Sequence, residues 1–484
     1  MHWTKLCLLL AVVAVATADT SAAPDVVLVG ATGNLAQKYL WQILFELSQA
    51  GKVGRIIGGA TKAKDVGTGL IDGIIQKKVA CAGCEDKVEA FRKSVEYVQL
   101  RRDEQYGELG EMLDKTGAPR LFFLSVSPDY YPQIAKNINT QARPKAAGAW
   151  LRVVFEKPFG RDSASARALS EKLVAELAEP EVYRIDHYLG KMAVQAVGDF
   201  RRANPAIEAH WNAEAIGSIE VVMKESETCE GRTAFYDRYG IVRDVLQNHL
   251  LELVALAMAE LPPPGSAEPI DRLALLKHLK DASSAQLKLG QYEGYAAHVL
   301  ADSKGKKAST NTATAATVRL EVDTSRWKGM PIFLSAGKAL DERAAYVRVR
   351  FKPGHFEGGG SEPCDVLFHL QGGALGTATK VCSHLPVPKF PEGWERSYHE
   401  GGGSTGTPIE KAANPYNVLL RGVVDGRRDL FCGTDELYEL WRVWTPMLAQ
   451  VEDTGVKPQI LPVGQPWKEA EEMMESGGVE HEEL

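Results

Sequence analysis

The stretch 25–36 constrains this chain most. Asp25-Val26-Val27-Leu28-Val29-Gly30 is an unbroken apolar, β-branched run ending on glycine, the pattern of a parallel strand buried on both faces. Gly30-Ala31-Thr32-Gly33-Asn34-Leu35-Ala36 follows, and a helix is predicted from about Gln37 to Gln49. Strand, glycine turn and helix, in that order, bring backbone N–H groups and a helix N-terminus up to a pyrophosphate. A lone Gly-x-x-Gly fits any strand–helix turn. The strand before it and the helix after it favour a dinucleotide site made by Gly30, Ala31, Thr32, Gly33, Asn34, Leu35 and Ala36.

The pattern repeats. A second strand is predicted at 54–59, and its end is where such folds choose between nicotinamide cofactors. An acid there would hold a ribose 2′-hydroxyl and an Arg a 2′-phosphate. Here the chain reads Ala60-Thr61-Lys62-Ala63-Lys64, with neither, so weak discrimination between NADP and NAD is expected. A third strand is predicted at 120–126, with Tyr130 and Tyr131 just past its end, and a fourth at 150–155, running into Glu156-Lys157-Pro158-Phe159-Gly160-Arg161-Asp162. Lys157 then stands at a strand end, where a side chain can face both cofactor and substrate. The β/α alternation holds to about residue 185.

Beyond residue 205 strands dominate, at 215–225, 316–322, 331–334, 346–351 and 365–370, with one long amphipathic helix at 241–251. Strands in one run suggest a large antiparallel sheet. The expected fold class is therefore α/β plus α+β: a Rossmann-like NAD(P)-binding domain over 19–200 and a substrate and dimerisation domain over 201–455. Residues 358–361 and 401–407 are Gly/Ser-rich and read as loops. Residues 468–484 hold seven acids and little apolar content, so the segment 456–484 is predicted to be a disordered acidic tail.

Both ends carry address-like signals. Lys5, an apolar run from Leu6 to Val15 and Ala16-Thr17-Ala18 form the three parts of a secretory signal peptide, with cleavage expected after Ala18 and no membrane insertion. The chain ends His481-Glu482-Glu483-Leu484, close to a retention tetrapeptide of the endoplasmic reticulum. A lumenal protein is expected. Six cysteines lie beyond the signal: Cys81, Cys84, Cys229, Cys364, Cys382 and Cys432. The Cys81-Ala82-Gly83-Cys84 spacing fits a local disulfide or two surface thiols. No second Cys/His pair sits near it, so no zinc or other metal is expected. There is no Asn-x-Ser/Thr sequon. A net charge of −7 argues against a nucleic-acid partner.

The densest chemistry lies in Arg184-Ile185-Asp186-His187-Tyr188-Leu189-Gly190-Lys191. Asp186 can orient an imidazole, and His187, Tyr188 and Lys191 are donors suited to a phosphate. On a helix His187 and Lys191 would share a face. This string is almost letter for letter that of the glucose-6-phosphate dehydrogenases. Four further stretches resemble the same family in the same order: Gly30 to Ala36, Glu156 to Asp162, Arg243-Asp244-Val245-Leu246-Gln247-Asn248-His249-Leu250, and Ser335-Ala336-Gly337-Lys338-Ala339-Leu340-Asp341-Glu342-Arg343. The resemblance spans roughly residues 25–452. Within the family the chain is most similar to the endoplasmic reticulum branch, the hexose-6-phosphate dehydrogenases, without the lactonase domain that many of them carry.

That resemblance implies oxidation of glucose 6-phosphate, and of other hexose 6-phosphates, at C1 by NADP or NAD. It implies His249 as general base oriented by Asp186, with Lys157 beside them. It assigns the phosphate end to His187, Tyr188 and Lys191. The sugar hydroxyls fall to Glu225 and Asp244, with charge from Lys157 and Lys338, and Arg343 and Gln371 at further family positions. Tyr131 and Thr61 fall on cofactor positions. Where the family has Asp this chain has Asn34, and Ser127-Pro128 replaces two prolines. Ala344 and His369 replace basic residues that in some relatives hold a second, structural NADP, and only Arg348 remains. A homodimer through the sheet domain is also implied. The competing expectation is a catalytically inactive lumenal protein that binds nucleotide and sugar phosphate.

Overall fold

The computed structural model describes residues 22–307, 309–356, 364–371 and 414–476. The proposed signal peptide, the last four residues, the loops at 358–361 and 401–407 and Cys382 lie outside them. The first half is a six-stranded, all-parallel sheet made of β1 (Asp25–Val29), β2 (Ile56–Ala60), β3 (Glu96–Gln99), β4 (Arg120–Leu124), β5 (Leu151–Glu156) and β6 (Val182–Ile185), in the order β3-β2-β1-β4-β5-β6. This is the Rossmann order, whose ligand crevice opens between β1 and β4. All five residues of β1 and of β4 are buried, as the apolar runs predict for strands covered on both faces.

The second sheet has seven strands: β7 (Ile216–Lys224), β8 (Leu287–Tyr292), β9 (Ala315–Leu320), β10 (Ile332–Gly337), β11 (Ala344–Phe351), β12 (Cys364–Gln371) and β13 (Gln459–Leu461), in the order β12-β11-β7-β10-β9-β8-β13. β7 with β10, and β8 with β13, pair in parallel, and the other neighbours are antiparallel. The sheet is thus mixed, though mainly antiparallel as expected. β11 shows why one face is inner: Ala345, Val347, Val349 and Phe351 are buried, while Tyr346, Arg348 and Arg350 alternate outward. Arg348 pairs there with Glu220 at 3.2 Å.

Four strands escaped the sequence reading, β13 of the tail among them. β3 is a half-exposed edge strand with a polar sequence, Glu-Tyr-Val-Gln. β6 is four residues long, and β8 mixes Lys, Gly and Gln with its apolar residues. The acidic tail is a correction. Gln459–Leu461 joins β8 as β13, and Lys468–Glu475 is a helix with Ala470, Met473 and Met474 buried. Met473 and Met474 pack on Val222 and Phe333 of the sheet, so a few apolar side chains at helical spacing outweigh the charge around them. A second correction concerns 187–190, which is a turn and not a helix. Leu189 N–H donates to the Asp186 carbonyl and Lys191 N–H to the Tyr188 carbonyl, each three residues back.

One hydrophobic core runs through both halves, from Val27 and Phe122 to Val221 and Leu334. Two tryptophans pin the loops that matter. Trp41 Nε1 donates to the Ala31 carbonyl at 2.9 Å, fixing the glycine turn, and Trp441 Nε1 donates to the Phe159 carbonyl at 2.8 Å, fixing the segment after Lys157. The helix Pro415–Val424 packs Tyr416, Leu419, Leu420 and Val423 against the layer of Trp41 and Leu44. No helix among the described residues is long and apolar enough to cross a membrane.

Candidate functional site

The glycine turn fits a dinucleotide. Gly30 has φ +85°, and a Cβ there would lie 2.2 Å from the Ser125 carbonyl oxygen, so only glycine lets β1 and β4 close at the crevice. The N–H groups of Gly30 and Ala31 both donate to the Gly59 carbonyl. The helix begins at Asn34, and its first N–H groups lack intrahelical acceptors and point at the crevice. Thr32, Gly33 and Leu35 are partly exposed there and Asn34 is exposed, whereas Ala31 and Ala36 are buried and support the turn. Thr61 sits exposed past β2, with Lys62 and Lys64 beside it. Tyr131 is fully buried, and its hydroxyl donates to the Glu156 carbonyl at 2.8 Å. It braces the end of β5, next to Lys157. Tyr130 is the exposed one of the pair.

The centre of the site lies where β6 ends and the helix Val242–Leu250 crosses it. That helix has i→i+5 hydrogen bonding, a form frequent at functional sites, and its wider turn puts Asp244 and His249 on one side. Gly240, at φ 65° and ψ 175°, sets the kink from which it departs. His249 Nδ1 lies 2.5 Å from Asp186 Oδ1, which also accepts the Tyr188 N–H at 2.9 Å. The imidazole therefore carries its proton on Nδ1, leaving Nε2 as a base. Burial lowers the His249 pKa below its usual value, with Asp186 resisting and Lys157 adding to the fall. For Asp186 burial acts against ionisation, but His249, His187 and Lys157 outweigh it and hold the carboxyl well below the usual carboxylate range.

Two lysines bracket Asp244. Lys157 Nζ donates to the Asp244 carbonyl at 2.6 Å and lies 3.4 Å from Oδ1. Lys338 Nζ bonds Glu225 and stands 3.7 Å from Asp244 Oδ2. Burial opposes the Asp244 charge, yet Lys157 and Lys338 bring its pKa to about 2. Lys338 itself is raised: burial acts against it, and Glu225 and Asp244 prevail.

On the other side His187 meets His249 edge-on at 4.6 Å, and Tyr188 stacks on His249 at 4.5 Å. Lys191 Nζ lies 3.4 Å above the Tyr188 ring and donates to Gln371 Oε1 at 2.8 Å, with the Tyr188 hydroxyl 3.2 Å from the same oxygen. Burial, with His249 adding to it, keeps His187 neutral. Burial also brings Lys191 down to about 7, against the pull of Asp186. Arg343 stands apart: it is exposed and pairs with Glu227 at 3.3 Å. Asp186, His187 and His249 offer three ligand atoms within 4.8 Å, but Asp186 Oδ1 is already committed to His249 and Tyr188.

Two residues at the site went unread in the sequence. The Tyr416 ring lies parallel to His187 at 6.3 Å, and its hydroxyl reaches Glu156 Oε2 at 3.4 Å. Glu156 is raised to about 8 by burial, so a neutral acid stands beside Lys157. Glu156 sits inside a motif that drew attention to its neighbour. Nothing local marks Tyr416, whose Asn414-Pro415 lead-in reads only as a helix start.

The arrangement suits a polar substrate with an anionic end. Around His249 gather Lys157 and Asp244 on one side and the rings of His187 and Tyr188 on the other, with Lys191 and Gln371 bonded next to Tyr188. Comparison with known proteins agrees. The family model described as glucose-6-phosphate dehydrogenase, NAD binding domain, matches residues 27–196, and its C-terminal domain model matches 199–482. The chain is 36% identical over 481 residues to the human "GDH/6PGL endoplasmic bifunctional protein", covering 91% of this chain and 60% of that one. It therefore spans about three-fifths of that relative's length. It is 31% identical over 458 residues to the Arabidopsis thaliana "Glucose-6-phosphate 1-dehydrogenase 5, cytoplasmic", covering 90% and 87%. A solved "Glucose-6-phosphate dehydrogenase in complex with its substrate glucose-6-phosphate" superposes with a TM-score of 0.79 at 27% identity, over 96% of this chain and 99% of that one.

Proposed function

The chain belongs to the glucose-6-phosphate dehydrogenase family and is an NAD(P)-dependent dehydrogenase; from that premise we propose that it oxidises glucose 6-phosphate at C1 to 6-phosphogluconolactone. The single observation that carries the chemistry is the buried Asp186–His249 contact at 2.5 Å. His249 Nε2 takes the C1 hydroxyl proton as the hydride leaves C1 and the C–O bond becomes a carbonyl. Asp186 holds the Nδ1 proton and stabilises the imidazolium. A nicotinamide dinucleotide at the glycine turn supplies the hydride acceptor. Glu225, Asp244 and Lys338 hold the sugar hydroxyls, with Lys157 at the reacting end, and His187, Tyr188 and Lys191 hold the phosphate beside Gln371. Arg343 must swing from Glu227 to join them. Other hexose 6-phosphates fit the same polar space. Absorbance of the reduced nicotinamide on adding glucose 6-phosphate tests the reading, and a folded protein that binds nucleotide without turnover would overturn it.

Both NADP and NAD are taken as cofactors, because Thr61 neither repels nor clamps a 2′-phosphate. Thr61→Arg is expected to raise the NADP-over-NAD ratio of kcat/KM by about tenfold, the worth of one charge-assisted hydrogen bond. An unchanged ratio would show that Lys62 or Lys64 already clamps the phosphate.

Lys191 makes substrate binding pH-dependent. A phosphate dianion raises the Lys191 pKa above its free value of about 7, so binding is strongest where the free lysine is already protonated. As pH rises through about 7 the free lysine loses its proton and must regain one on binding. KM for the sugar phosphate should then climb by up to about tenfold per pH unit, and Lys191→Arg, which stays charged, should remove the climb. A flat KM between pH 6.5 and 8.5 would contradict this.

The endoplasmic reticulum lumen is the proposed location. Support comes from the two terminal signals, the endoplasmic relative, and Cys81, which is bonded to Cys84 in keeping with an oxidising compartment. We divide the chain near residue 200 into nucleotide and substrate halves, and expect a homodimer through the seven-stranded sheet.

A further inference from the structure

Beside Asp186 lies a cavity of about 30 Å³. Asp186 and Glu252 both line it, with Cys432 and Trp441 on its far wall. Asp186 Oδ2 and both oxygens of Glu252 are buried and meet no hydrogen-bond donor, and the one side chain that Glu252 bonds is the Glu436 carboxyl. Such orphaned groups are costly in a low dielectric. A cavity of this size holds one water, which needs two or more polar partners, and these carboxyls provide them.

The charges around Glu252 define its state. Arg272 Nε approaches Glu252 Oε2 at 2.9 Å, but gives its one N–H to Glu436 Oε1 at 2.7 Å. The remaining Arg272 donors go to Glu436 Oε2 and to the Asp429 and Phe431 carbonyls. Glu436 also accepts the Gly433 N–H. Lys157 and Arg243, which reach the cavity wall, are committed to Asp244 and to Glu452. The Cys432 thiol is neutral, raised by burial. Glu252 therefore faces two carboxylates, Glu436 and Asp186, with a single guanidinium already spent on one of them. Burial, with Glu436 beside it, raises the Glu252 carboxyl well above the usual range.

We propose that the Glu252 carboxyl, bonded to Glu436 through one oxygen, holds through the other one water in this cavity that donates to Asp186 Oδ2, and that Glu252 so acts as a positioning residue for the Asp186–His249 pair. The inference rests on the dehydrogenase reading. Glu252 follows His249 by three residues, so one helical segment carries the base and the group that steadies its partner. The hydrogen bond restrains Asp186 and drains part of its charge, which limits how far Asp186 can raise the basicity of His249.

The test uses the full protein and two substitutions. Glu252→Gln keeps a carbonyl oxygen for the water and an N–H for Glu436, whereas Glu252→Met keeps the size and removes both. Glu252→Met should lower kcat about tenfold and move the acid limb of the kcat–pH profile upward, because an unrestrained Asp186 charge favours the imidazolium; KM for glucose 6-phosphate should stay within about twofold. Glu252→Gln should restore both kcat and the position of the limb. If Met and Gln leave identical profiles, or if Gln shifts the limb as Met does, the proposal is overturned. Should the Met variant not fold, infrared spectra decide. Because Glu156 is a second buried neutral acid, the reading is a difference: wild type minus Glu252→Gln should show the carbonyl band of a buried protonated acid near neutral pH, and no such difference band overturns the proposal. A wild type that folds and turns over no hexose 6-phosphate would sink the dehydrogenase reading instead, while its infrared spectrum still reports on Glu252.

Discussion

His249→Ala is expected to lower kcat by ~10³-fold while leaving KM for the sugar phosphate within a few-fold, the signature of losing a general base that acts in the transition state. The geometry makes the loss specific. His249 Nε2 is the free nitrogen of a buried ring whose other nitrogen is held 2.5 Å from Asp186. Lys157 and Lys338 nearby are engaged by Asp244 and Glu225, and Lys191 by Gln371, so none is positioned as a substitute base. The pH dependence has a definite sign. Since burial lowers the His249 pKa, the base form is present above that lowered value. Activity should be lost only as pH falls through it, below the ordinary histidine range. Asp186→Asn removes the upward pull of the carboxylate, so its acid limb should lie lower still, with a reduced kcat. Near-normal turnover by a folded His249→Ala protein would defeat the mechanism.

The largest effect on stability is expected from Arg272→Met. Arg272 is buried and joins Glu436, Glu252 and two backbone carbonyls, tying the helices Arg272–Leu276, Leu251–Met258 and Thr434–Thr454 together. Removing one partner of a buried ion pair leaves a charge without compensation and typically costs about 3–5 kcal/mol. Glu252, neutral already, adds little to that cost, so Glu436 carries most of it. Replacing both Arg272 and Glu436 by apolar residues should therefore recover most of the loss. Denaturant midpoints at constant slope read the change. A shift below about 1 kcal/mol for Arg272→Met would mean that water reaches the cluster.

The parts legible in the sequence were those with strong local signals. β1, β4 and β5 show as apolar runs between polar turns, and Gly30 betrays a crevice because no other residue tolerates the approach to Ser125. β3 was illegible for the opposite reason: an edge strand with one buried side in four carries no period to read. The tail misled because composition averages over Met473 and Met474, two side chains that find a sheet. At the site, Asp186, His249 and the lysines were reached through resemblance, since nothing in their spacing brings residues 186, 249 and 338 together. Tyr416 and Glu252 were not reached. Their importance lies in what they meet across the fold, and the contact of residues 156 and 416, or a cavity shared by 186 and 252, leaves no trace in a local pattern.

The helix Pro415–Val424 has a consequence for how such a protein comes into being. It covers the outer layer of the nucleotide half and lays Tyr416 against His187, yet it is translated more than two hundred residues later. A ribosome that has finished the six-stranded sheet has released a domain with an uncovered apolar flank and an unclosed pocket. Until residues 415–424 emerge, that flank is a natural client for a chaperone. A dehydrogenase built this way closes its site only once that helix has been made, which guards against hydride transfer by molecules that lack it.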